Sequence, residues 1–119
     1  MILADTSIWI DYLRGRNQEM EKLLNSGQII MHPFVLAEIS LGSLRNRDKT
    51  LATMEKLLQI GVAQLSEVRQ MIEANGLYSK GIGLVDAHLI ASCLLSPGMR
   101  LWTRDARLEA IARTMGISV

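Results

Sequence analysis

Along the 119 residues, apolar positions recur in two rhythms: short unbroken runs, and stripes spaced three and four residues apart. The first run, Met1 to Ala4, stops at Asp5-Thr6-Ser7, three residue types that favour helix N-caps. Ile8, Trp9, Tyr12 and Leu13 then recur at helical spacing, so the opening reads strand, tight turn, helix. Met20, Leu23 and Leu24 predict a second helix over 17–26, ended by Gly27. Gln28 to Met31 is a short strand, and Pro33 suits the first turn of a helix over about 34–44. Leu51, Met54, Leu57 and Leu58 mark one face of a helix over 48–60. Val62 to Leu65 predicts another strand, after which Ser66 caps a helix carrying Val68, Met71 and Ile72. Lys80-Gly81-Ile82-Gly83 reads as a loop before a mostly apolar helix over roughly 84–95. Ser96-Pro97-Gly98 turns the chain into a strand at Leu101 to Thr103. Asp105 then opens a last helix with Leu108, Ile111, Ala112 and Met115 in register.

Short strands alternating with helices imply right-handed crossovers and a parallel sheet covered on both faces. The expected class is α/β, a three-layer α/β/α arrangement with a short-stranded parallel sheet, in one domain over 1–119. In such sheets ligands collect at the carboxyl ends of the strands.

Composition sharpens this only in places. Apolar residues make up 49% and charged residues 21%, a globular balance. The single cysteine, Cys93, excludes an intramolecular disulfide and suits a reducing, cytoplasmic setting. No apolar run approaches a membrane span, and no basic segment followed by an apolar run marks a secretory signal. The net charge of +1 excludes a strongly basic nucleic-acid coat protein but not an enzyme with a local basic rim. Nine of the thirteen basic residues are arginine. Arg14 and Arg16, Arg45 and Arg47, and Arg100, Arg104 and Arg107 form three short clusters. Arginine's planar fork suits phosphate oxygens, although solvated helix ends would account for any one cluster.

Four carboxylates stand in apolar company: Asp5 after the first strand, Glu38 within Val35-Leu36-Ala37-Glu38-Ile39, Asp86 within Ile82 to Ala91, and Asp105 just past the last strand. Asp5 and Asp105 can each be a helix N-cap, a role worth about 1 kcal/mol. Asp86 can cap the helix it opens. Glu38, mid-helix, can neither cap nor easily escape its apolar neighbours, and its bland alternative is a solvent-facing glutamate on a half-buried helix. If the four converge, they repel one another and suit a hard divalent cation, Mg²⁺ or Mn²⁺, which prefers carboxylate oxygens. The chemistry of such a cluster is metal-assisted phosphodiester hydrolysis. Arg14, Arg16 and Arg104 are then candidates to line the approach of a phosphate backbone. His32 and His88 lack the paired spacing of a zinc site, and Cys93 reads as a small buried hydrophobe.

Taken in order, these segments resemble a known family. Asp5-Thr6-Ser7-Ile8-Trp9-Ile10-Asp11-Tyr12-Leu13 resembles the N-terminal signature of PIN-domain ribonucleases of the VapC-like toxin type. Val35 to Ile39 with Gly42 resembles their second motif, Val85 to Ala91 the third, and Thr103-Arg104-Asp105 the fourth. The resemblance implies a PIN-like fold and a Mg²⁺- or Mn²⁺-dependent endoribonuclease. It also implies a homodimer restrained by a cognate antitoxin. Position by position, it implies Asp5, Glu38, Asp86 and Asp105 as catalytic, metal-binding acids, with Asp5 and Asp86 foremost and Thr103 as polar partner of the last. Trp102 departs from the small β-branched residue commoner at its place.

Two readings from other classes, a phosphoacceptor signalling domain and a phosphatase, fit the sequence poorly. A phosphoacceptor domain needs a lysine near a late strand, and Lys80, the only lysine after residue 60, lies in a loop. A haloacid-dehalogenase-type phosphatase wants an aspartate where Ser7 stands. The surviving alternative is a non-catalytic PIN-like module whose acidic pocket serves a protein partner.

Overall fold

The computed structural model describes all of residues 1–119. Its centre is β1 (Ile2–Ala4), flanked by β2 (Ile29–Ile30) and β3 (Arg100–Trp102) in the order β2-β1-β3. Every pairing is parallel, with Leu3 opposite Ile30 on one side and Leu101 on the other. Leu3 and Leu101 are fully buried, which is why the unbroken apolar runs belong in a sheet covered on both faces. Two single bridges widen the sheet, Met31 with Gln59 and Leu101 with Ser118.

Seven helices complete the chain: α1 (Thr6–Leu13), α2 (Gln18–Asn25), α3 (Pro33–Ser40), α4 (Arg47–Glu55), α5 (Leu65–Ala74), α6 (Leu84–Leu95) and α7 (Ala106–Thr114). Helix α1 packs on β1, α2 and α3, while α6 packs on β3 and α5. The result is the three-layer α/β/α fold with a short parallel sheet that the strand–helix alternation predicts. Helix α6 is the most enclosed: Ala87 through Cys93 are all buried. Local signals set the helix starts. Asn17 Oδ1 accepts from the Met20 N–H (3.0 Å), and His32 Nδ1 accepts from the Phe34 N–H (2.9 Å) with Pro33 in the first turn.

Four expectations need correction. The segment 62–65 is not a strand. The pairing falls earlier, where the Met31 N–H donates to Leu58 O and the Ile60 N–H to Met31 O, both at 2.8 Å. Leu65 already belongs to α5, whose N-cap is Gln64 and not Ser66; the Gln64 N–H donates to Glu67 Oε1 (2.8 Å). Helix α3 stops at Ser40 instead of continuing to 44, because the Arg47 guanidinium folds back onto Ser40 O and Gly42 O and satisfies the terminal carbonyls. Helix α4 likewise ends at Glu55, short of 60, since the chain must straighten to bring Leu58 and Ile60 to Met31.

Candidate active site

Because β1, β2 and β3 are parallel, their carboxyl ends share one edge, and the turns that leave it carry the chemistry. Asp5 is the residue after β1 and lies 6% exposed. Its Oδ1 accepts from the Ile8 N–H (3.2 Å), capping α1, and from Ser7 Oγ (2.5 Å). Its Oδ2 accepts from Thr103 Oγ1, just past β3. The Thr103 hydroxyl in turn accepts from the Asp105 N–H (3.0 Å), and Ser7 Oγ accepts from the Arg104 N–H (3.1 Å). The turn 5–7 and the turn 103–105 are thus joined by side chains almost a whole chain length apart, and Asp5 is fixed between them.

The other acids arrive on separate elements. Asp105 Oδ1 caps α7, accepting from the Arg107 (2.9 Å) and Leu108 (3.1 Å) N–H groups, and leaves Oδ2 without a protein donor. Asp86, in the first turn of α6, takes the Gly83 N–H at 3.4 Å on Oδ2. Glu38 projects from α3, where its Oε1 accepts from Thr6 Oγ1 (2.6 Å). The expectation that Glu38 is trapped among apolar neighbours is wrong: it is exposed, and α3 buries Val35 and Ile39 instead. Asp5 and Asp105 do serve as N-caps, so capping and a place at the sheet edge coexist in one residue.

Electrostatics tie the four together. Burial raises the Asp86 carboxyl above its ordinary 3.8. The Gly83 N–H opposes that rise, and the charges of Asp105, Asp5 and Glu38 reinforce it. The side chains as placed form no group of three that could hold a metal ion. In donor chemistry they nonetheless suit a hard cation. All are carboxylates, no arginine or lysine neutralises them, and Glu38, Asp86 and Asp105 each keep an oxygen that takes no protein hydrogen.

The arginines divide. Arg14 lines a cavity of about 480 Å³ together with Glu38 and Arg45. Arg104 sits in the 103–105 turn and pairs with Asp11. Arg16 is exposed on the turn after α1, and Arg47 is taken up in closing α3. The residues that sequence reasoning missed are Thr6 and Ser7, read as capping types though only Asp5 caps α1. Their hydroxyls orient Glu38 and Asp5, and a serine or threonine one and two positions after a strand-end acid is the signal that was there to use. His32 is structural: burial, then the nearby His88 charge, lowers it to about 4, leaving its Nδ1 free to cap α3. Burial pushes the Cys93 thiol up to about 12, as for an inert core residue.

Comparison with known proteins meets this geometry. The model of the PIN domain family matches residues 2–114, nearly the whole chain. This chain belongs to the PIN-domain family. Ribonuclease VapC32 of Mycobacterium tuberculosis is 40% identical over 119 residues, covering 100% of this chain and 96% of its own. Ribonuclease VapC11 of the same organism and VapC ribonuclease Mb1587 of Mycobacterium bovis are each 31% identical over 127 residues, covering 95% of this chain and 92% of their own. The family assignment agrees with the motif resemblance and with the PIN-like architecture.

Proposed function

We propose that this PIN-domain protein is a divalent-metal-dependent endoribonuclease and the toxin of a toxin–antitoxin pair. In this reading it hydrolyses RNA phosphodiester bonds at Asp5, Glu38, Asp86 and Asp105. The observation that carries the reading is the delivery of four acids, from the ends of β1 and β3 and from α3 and α6, to one sheet edge where three of them act on the charge of the fourth. The ribonuclease names of its full-length relatives support the same activity. Mg²⁺ or Mn²⁺ bound by these acids would activate water and stabilise the leaving oxygen. The chain's own part is orientation. Thr103 and Ser7 hold Asp5, and Thr6 holds Glu38, so the acids keep their directions without cationic partners that would compete for them. Arg14, Arg16 and Arg104 supply positive charge near the approach, offsetting the repulsion between the acids and a phosphate backbone.

Purified chain, freed of any bound partner, should cleave single-stranded RNA with Mg²⁺ or Mn²⁺, and EDTA should stop it. Failure to cut any RNA pool under either ion would leave the non-catalytic module serving a protein partner as the better reading. A homodimer and an antitoxin partner belong to the same proposal. Sedimentation of the free chain at micromolar concentration should give the dimer mass. A monomer there, and again when coexpressed with the neighbouring gene product, would refute the assembly.

A further inference from the structure

Beyond the acids lies a second cavity, of about 530 Å³, within the size range of small-ligand pockets. Leu77, Leu94, Ile111 and Met115 give it an apolar floor, and Lys80 and Arg107 supply its only charges. Neither cation enters an ion pair, since the two pairs in the molecule use Arg104 and Arg113. No carboxylate lines the cavity itself. Both cations stand on the segments that carry site acids. Lys80 begins the loop whose Gly83 N–H meets Asp86, and Arg107 lies in the first turn of α7, its N–H bonded to Asp105.

That loop is shaped around the arginine. Gly81 has φ +79°, and a Cβ there would lie 2.6 Å from Arg107 Nη1 and 2.8 Å from its Cδ. Ser79, two residues earlier, also adopts a left-handed φ of 59°. The Arg107 side chain lies against the backbone between α5 and α6, and the residue lines the cavity wall. An apolar floor with two unpaired cations matches one nucleotide: the base against the leucines, isoleucine and methionine, the phosphate against Arg107 and Lys80.

We infer that the cavity between α5, α6 and α7 is a subsite for one nucleotide of the RNA, with Arg107 and Lys80 as its phosphate contacts. The inference rests on the ribonuclease reading for its substrate but not for its binding chemistry. Affinity for a fluorescein-labelled single-stranded RNA of mixed sequence, followed across a salt series in EDTA, reads binding without turnover. Lys80→Gln and Arg107→Gln should each weaken binding about tenfold and flatten the dependence of log affinity on log salt by about 0.7. Lys22→Gln, on α2, should leave that slope as in the wild type. Gly81→Ala should also weaken binding with every charge intact, because the new methyl group meets the Arg107 guanidinium and strains a backbone held at φ +79°. With Mg²⁺, the Lys80 and Arg107 variants should raise KM far more than they lower kcat and should shift the positions cut in a random RNA pool. Should the wild type cut RNA while these variants keep its slope, affinity and cleavage positions, the subsite is overturned and the nuclease reading stands. RNA binding that depends on Lys80 and Arg107, with no cleavage under either ion, sustains the subsite and removes the nuclease reading. A wild type that binds no RNA overturns the subsite.

Discussion

Asp86→Asn should abolish RNA cleavage and leave the metal-free protein at least as stable as the wild type at neutral pH. The substitution keeps an oxygen to accept from the Gly83 N–H, so the start of α6 is preserved, and it removes only the charge. With Asp86 as the metal-binding acid proposed above, its loss forfeits several kcal/mol of transition-state stabilisation, a fall in rate of about a thousandfold or more. The stability effect has a definite sign with pH. Burial raises the folded Asp86 pKa above 3.8, and the facing acids add to the rise. Below the ordinary carboxylate range both the folded and unfolded chains hold this proton, and its contribution to stability is intact. As pH climbs through the raised folded value, the folded chain must surrender a proton it binds more tightly than the unfolded chain does, and that contribution is lost. Asparagine has no proton to surrender. The stability gap between variant and wild type should therefore open as pH rises from about 4 and level off above the folded value. Urea unfolding in EDTA at several pH values reads this directly, and Mg²⁺ should then stabilise the wild type more than the variant. A variant destabilised equally at every pH, or one that still cuts RNA, contradicts the role given to Asp86.

The acids were legible because each breaks a pattern. Asp5 and Asp105 end apolar strands, and Asp86 interrupts the most enclosed helix. Parallel neighbouring strands then put the Asp5 and Asp105 turns side by side, joined through Thr103. Glu38 was found for a faulty reason: its neighbours in sequence are apolar, yet on α3 it turns outward to solvent, and what brings it to the site is Thr6, thirty-two residues away. Contacts of that range leave no periodic trace. The same holds for Asp11 with Arg104 and for Arg47 closing α3 from beyond its end. The misplaced strand at 62–65 has a related cause. A short apolar run reports burial, but only a partner decides which residues pair, and Met31 selects Leu58 and Ile60. Patterns local to one element were readable, and those set by a partner elsewhere were not.

Leu3→Ala should do the reverse of Asp86→Asn, lowering stability sharply while sparing the chemistry. Leu3 is fully buried at the middle of the central strand, between Ile30 and Leu101, and belongs to the same hydrophobic core as α1 and α6. Truncation removes three carbons from a site that neighbouring strands on both sides hold in register, so little collapse can fill the space. The expected cost is about 3 to 5 kcal/mol. A domain of this length has roughly 5 to 15 kcal/mol in all, so the midpoint of urea unfolding should fall steeply with little change in m. Asp5 follows Leu3 by only two residues, but its direction is fixed by Thr103, Ser7 and the start of α1, none of which Leu3 supplies. Cleavage per folded molecule at low temperature should therefore stay within a few-fold of wild type, and activity should disappear on warming in step with the melting curve. If activity in the cold fell as far as in Asp86→Asn while the protein remained folded, the turns at 5–7 and 103–105 would not be the rigid frame described here, and the strand itself would be setting the position of the acid.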